Sequence, residues 1–119
     1  MIDDTILDLP LINIKDNADR LYLCSQEPLN FNEATSQYAV AYKEGLTISS
    51  PLERALGGRR IIVSAILEGT IVKSDRATHF AIVDFGSSKI LAMDLLSAPK
   101  DLLETNTFSL DAFSINSID

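Results

Sequence analysis

Apolar positions in this chain alternate with polar ones more often than they recur at helical spacing. The clearest run is 78–85, Thr-His-Phe-Ala-Ile-Val-Asp-Phe. Phe80 and Ile82 fall on one face; Ala81, Val83 and Phe85 fall on the other. Apolar residues on both faces predict an interior strand. Gly86-Ser87-Ser88 predicts a compact hairpin loop, with 89–95 returning as the partner. Residues 59–66 are rich in β-branched side chains. With a turn at Leu67-Glu68-Gly69 and a return over 70–73, they predict a second hairpin. Shorter strands are expected over 20–24, over 37–43, where Tyr38, Val40 and Tyr42 alternate, and at Leu102-Leu103. In the closing segment 107–115, Phe108 and Leu110 take one face, Phe113 and Ile115 the other.

Between these runs lie turn-rich stretches. Residues 25–36 read as a loop in which Asn32 caps one helical turn through Glu33, Ala34 and Thr35. Gly45 marks a turn, and 46–58 read as a second loop ending in Gly57-Gly58. Ser97-Ala98-Pro99-Lys100 breaks the strand pattern, and Asp16-Asn17-Ala18-Asp19 is a turn by composition. The leader carries Ile6, Leu7, Leu9, Leu11, Ile12 and Ile14 interrupted by aspartates. Around Pro10 it reads as extended, because proline lacks the N–H a ladder or helix interior uses. It is expected to be an edge strand of its own subunit or an arm reaching to a neighbour.

Seven to nine short strands at regular spacing predict an all-β fold. The expectation is a single-domain antiparallel β-sandwich or jelly-roll-like barrel with an extended N-terminal arm. Residues 1–18 would be the arm or edge strand, and 19–119 the sandwich domain. A length of 119 residues supports one core.

Charge narrows the choice of partner. Seventeen acidic residues against ten basic give net −7. The only basic cluster is Arg59-Arg60, so neither nucleic-acid backbone nor an anionic membrane surface is an expected partner. No apolar run reaches the length of a membrane span, and the first residues lack a signal peptide's basic and apolar regions. Synthesis in a reducing cytoplasm is expected from the single Cys24, which excludes an internal disulfide and a cysteine-only zinc site.

Catalytic constellations are not apparent. His79 is the sole histidine, and Asp84 lies an odd number of positions away, on the opposite strand face. Cys24 reads as a small buried residue. The acids lack calcium-loop spacing, and the absence of Trp argues against sugar chemistry. Gly57-Gly58-Arg59-Arg60 lacks the ending of a phosphate loop. No Gly-x-Ser-x-Gly elbow occurs. A hydrolase or isomerase on a small barrel would need a polar constellation that is not there. No enzyme activity, cofactor or metal is expected.

Several runs carry a resemblance. They are Asp19-Arg20-Leu21; Gly-Gly-Arg-Arg-Ile-Ile-Val-Ser-Ala-Ile from Gly57; Ala77-Thr78-His79-Phe80-Ala81-Ile82-Val83-Asp84; and the close from Thr105 to Phe113. Across most of 16–118 the chain resembles small β-rich virion structural proteins of tailed bacteriophages. Glu104-Thr105 stands where many members have Ser-Gly, and no catalytic residue accompanies the match. The resemblance implies a non-enzymatic virion protein. The leading expectation is a capsid decoration, or cement, protein that binds the outer head surface and stabilises it. Its partners would be the major capsid protein and copies of itself, as a homotrimer. The alternative is a tail fibre, baseplate or neck component contacting other virion proteins or host glycans, for which Tyr38 and Tyr42 would share a face. Partner contacts are expected from Leu7, Leu9, Leu11, Ile12 and Ile14 of the arm and from Arg59 and Arg60, which would pair with acids of a neighbouring subunit.

Overall fold

A computed structural model describes residues 4–53 and 59–117, and the side chains of 11–52, 59–96 and 98–115. The elements are helix α1 (Asp4–Asn17), strand β1 (Arg20–Cys24), a short π-wound helix α2 (Glu33–Gln37) and strands β2 (Ala39–Glu44), β3 (Leu52–Glu53), β4 (Arg59–Val63), β5 (Ile66–Ile71), β6 (Asp75–Asp84), β7 (Lys89–Leu102), β8 (Thr107–Leu110) and β9 (Phe113–Ser117). One sheet has the order β7-β6-β1-β2-β5-β8, the other β3-β4-β9, and every paired neighbour is antiparallel. The chain is an all-β, sandwich-like single domain.

Strand alternation divides the large sheet into two faces. On β1, Leu21 and Leu23 enter the main core; on β6, Ile82 does, with Phe80 packed against it. The three-stranded sheet closes this core with Ile61 and Val63 of β4 and with Phe113 and Ile115 of β9. The rings of Phe80 and Phe113 meet between the sheets at 4.9 Å. Tyr22 and Cys24 of β1 and Ala81 and Val83 of β6 form a second cluster on the opposite face, under Ala34 of α2 and beside Ala39. The expected division of β6 into two apolar faces, and its interior position, are therefore found.

The leader is a correction. Its backbone is helical over Asp4–Asn17 rather than extended. Leu11 and Ile14 are buried in the main core, Ala18 packs beside them, and the Ala18 N–H closes the helix on the Ile14 carbonyl at 2.9 Å. Spacings of three and four outweigh the short-range alternation. A proline inside a helix costs about 3 kcal/mol, whereas burying two large aliphatic side chains gains about 1.5–3 kcal/mol each. The side chains of Leu7 and Leu9 lie outside the described residues.

The second expected hairpin is also corrected. β4 and β5 belong to different sheets, and the chain crosses between them at exposed Ser64-Ala65. The expected turn at Leu67–Gly69 lies inside β5, where Glu68 has φ +56° and the ladder to β8 is bulged. Gly69 serves close approach instead: the Phe108 ring lies where a Cβ would project. A similar crossing at Asp111-Ala112 explains why Phe108 and Leu110 share the main core with Phe113 and Ile115. β7 does not stop at Ser97. It bulges between Leu95 and Lys100 and continues to Leu102.

Capping of the first loop differs by two residues. Asn32 makes no capping hydrogen bond. Asn30 Oδ1 accepts from the Glu33 N–H at 2.9 Å, and Glu33 Oε1 accepts from the Leu29 N–H at 2.7 Å. These two reciprocal bonds resemble a capping box.

Candidate functional site

β7 and β8 are the two ends of the large sheet's strand order, joined directly by the turn at 103–106. The sheet curls until both border the same space. Near the turn, Lys100–Leu102 and Thr107–Ser109 line one cavity of about 260 Å³. Farther along, the strands diverge around a larger cavity of about 350 Å³. Its apolar lining includes Phe80, Leu95, Leu96, Leu110 and Phe113, and its polar lining Asp94, Lys100, Asp111 and Ser114. Leu95 is 63 % exposed there. No ladder joins β7 to β8, so the barrel-like curl has an open seam. The bulge opposite Ala77–His79 and Pro99 within it turn β7 away from regular pairing at this point.

The groups most suited to chemistry lie elsewhere. The His79 ring is half-buried, and its Nδ1 sits 2.8 Å from Thr78 Oγ1. The same hydroxyl donates to the Ser25 carbonyl at 3.2 Å. Alternation along a regular strand would turn Thr78 away from His79. The bulge between Ala77 and His79 brings the two side chains together.

Cys24 is fully buried, and its Sγ donates to the Ala34 carbonyl at 3.5 Å. Burial pushes its thiol up to about 12, a shift only partly offset by Lys73. The thiolate is therefore a negligible species near neutrality.

Arg20 is engaged on every side. It donates to the Tyr22 hydroxyl at 3.2 Å, pairs with Glu44 at 2.9 Å and lies 3.8 Å above the Phe85 ring. Its proton affinity is raised, first by the Tyr22 hydrogen bond and then by Coulombic attraction to Tyr22, Glu44 and Asp19, against desolvation. Asp19 accepts the Phe85 N–H at 2.8 Å, while Asp16 and Asn17, expected in a turn, end α1.

The expected partner-binding residues whose side chains are described divide between the core and the surface. Leu11 and Ile14 are consumed by the core, and Ile12 is 38 % exposed on α1. Arg59 and Arg60 are half-buried on β4. Arg59 donates to the Pro51 carbonyl at 3.4 Å, whereas the buried Nε of Arg60 has no hydrogen-bond partner among the described residues. Gly57-Gly58 lies outside the described residues. Tyr38 and Tyr42 do share a face, but both pack against the Tyr22–Cys24 cluster, with Tyr42 stacked on Tyr22 at 5.7 Å.

Sequence reasoning missed the seam. Asp94 and Leu95 read as the end of a partner strand, and Leu110 to Ser114 as part of the closing segment. Pro99 was the available signal, since proline inside a strand pattern marks an edge or a bulge. Among the described residues no group of three or more His, Cys, Asp or Glu side chains is placed to hold a metal ion, and no helix is long and apolar enough to cross a membrane. No family model, curated protein or solved structure matches the chain.

Proposed function

We propose that this chain is a non-enzymatic structural protein of a tailed-phage virion, acting as a decoration protein that binds the outer head surface as a homotrimer and stabilises it. The observation that carries the reading is where the residues of the resemblance go. Leu21, Ala77, Ala81, Ile82, Val83 and Phe108 are all buried. His79 is tied to Thr78 rather than to an acid. A motif spent on the scaffold suits a protein whose product is a surface. The exposed apolar side chains that remain, including Leu29 at 78 % and Leu67, Leu95 and Leu103 above half, are available for contacts between proteins.

The test is to mix the purified protein with purified tailed phage particles that lack it and image them at subunit resolution. Regular density at threefold or quasi-threefold positions is the expected result. Density confined to the tail or neck would move the protein to the tail role, and binding to neither part of the particle would overturn the virion reading.

A further inference from the structure

The open seam between β7 and β8 has the attributes of a strand-acceptor site. Both bordering strands end their sheet, so each presents an outer backbone edge without a ladder partner among the described residues. Unpaired edges are templates for another strand. Between them lies an apolar floor of Phe80 and Phe113, whose rings touch at 4.9 Å, flanked by Leu95, Leu96 and Leu110. An extended peptide adding to a sheet edge draws affinity from main-chain hydrogen bonds and specificity from pockets for alternate side chains. The cavity of about 350 Å³ is such a pocket.

Charge defines the occupant. Asp94 and Asp111 line the pocket from β7 and from the end of β8, both exposed and neither in an ion pair among the described residues; one oxygen of Asp94 accepts the Leu95 N–H at 2.8 Å. Lys100 is the one cation in the lining, at the end nearer the 103–106 turn. Asp101 beyond it is already engaged by Arg76 at 2.8 Å, which lowers the carboxyl's proton affinity. Asp111 and the second oxygen of Asp94 are thus left to a cation from outside.

We infer that the β7–β8 seam binds one extended segment of a partner protein, with apolar side chains at alternate positions and a basic residue placed between Asp94 and Asp111. The segment pairs with a free edge, seats an aliphatic side chain on Phe80 and Phe113, and excludes water from Leu95. This inference stands apart from the virion reading, since it specifies the segment's chemistry and not the particle that carries it.

The probe is a short blocked peptide with valine at alternate positions and lysine at both ends, added to the full isotope-labelled chain. Its control has glutamate in place of lysine. Amide shifts should move at Leu95, Leu96 and Leu110–Ser114, and the glutamate peptide should bind more weakly. Reversing both exposed acids, Asp94→Lys with Asp111→Lys, should weaken the lysine peptide about threefold or more, because each rim charge contributes modestly. Circular dichroism and thermal melting establish that this variant is folded. Saturable binding mapped to the seam and sensitive to both charge changes supports the inference. Absence of binding at millimolar peptide, equal binding of the two peptides, or shifts confined to β3 and β9 would overturn it.

Discussion

The two faces of the six-stranded sheet are built from the same strands and covered very differently. Inward from β1 and β6 point Leu21, Leu23 and Ile82, which meet the three-stranded sheet and α1. Outward point Tyr22, Cys24, Ala81 and Val83, which meet α2 and its flanks. Packed sheets stand about 10 Å apart, so the inward side needs long aliphatic side chains to fill the gap. On the outward side Cys24, Ala34, Ala39 and Ala81 are small, and the Cys24 Sγ reaches the Ala34 carbonyl of the cover at 3.5 Å. Side-chain size along a strand thus selects what can cover each face: a whole sheet on one side, one short helical segment on the other. The inward face holds the domain together. The outward face should behave as a satellite, its cover opening while the sandwich stays intact.

Substitutions on adjacent residues sharpen that contrast. Leu23→Ala should destabilise the protein by about 3 kcal/mol, the range for a buried leucine in a packed core. Its outward neighbour should tolerate Cys24→Ala at a cost of about 1 kcal/mol, and urea denaturation of the two variants measures the difference. On α1 the same logic separates Leu11 from Ile12. Leu11→Ala should cost about 3 kcal/mol and Ile12→Ala no more than about 0.5 kcal/mol; equal small effects would remove the helix from the core. Gly69→Ala should cost about 2 kcal/mol, because a methyl group there overlaps the Phe108 ring. Part of that loss should be recovered when Phe108→Leu is added.

The smallest effect is alkaline. Burial raises the Cys24 thiol from 9.0 to about 12. Below the unfolded value both states hold the proton and stability is unaffected. As pH rises from 9.0 toward 12 the unfolded chain ionises first, so stability falls through that window. By about pH 10 the wild type should have lost about 1 kcal/mol more than Cys24→Ala, measured by denaturation at each pH.

The sequence made the framework legible where periodicity was unambiguous. β1, β2 and β6 fall where alternation placed them, as does the hairpin turn at 85–88. Reading failed where the chain changes sheet. Ser64-Ala65 and Asp111-Ala112 look like minor interruptions of a strand, and nothing local says that the next residues pair elsewhere. Pro10 misled in the other direction: its local preference is overridden by the burial of Leu11 and Ile14, a tertiary effect. Cys24 is the small buried residue its neighbours implied, but the partner of His79 was hidden by a bulge. The seam needed the curl of the whole sheet, which brings Leu95 and Leu110 together across a turn that reads as an ordinary hairpin.

Cys24 lies beneath the outward cover, so its labelling rate measures that cover's opening directly. The decisive measurement is native-state reaction of Cys24 with a thiol reagent across a range of urea concentrations below the unfolding transition. The account predicts labelling through a local opening of residues 25–38, with a lower free energy and a shallower urea dependence than global unfolding. A labelling free energy and urea slope equal to those of global unfolding would show that the two faces form one cooperative core, and would contradict the account.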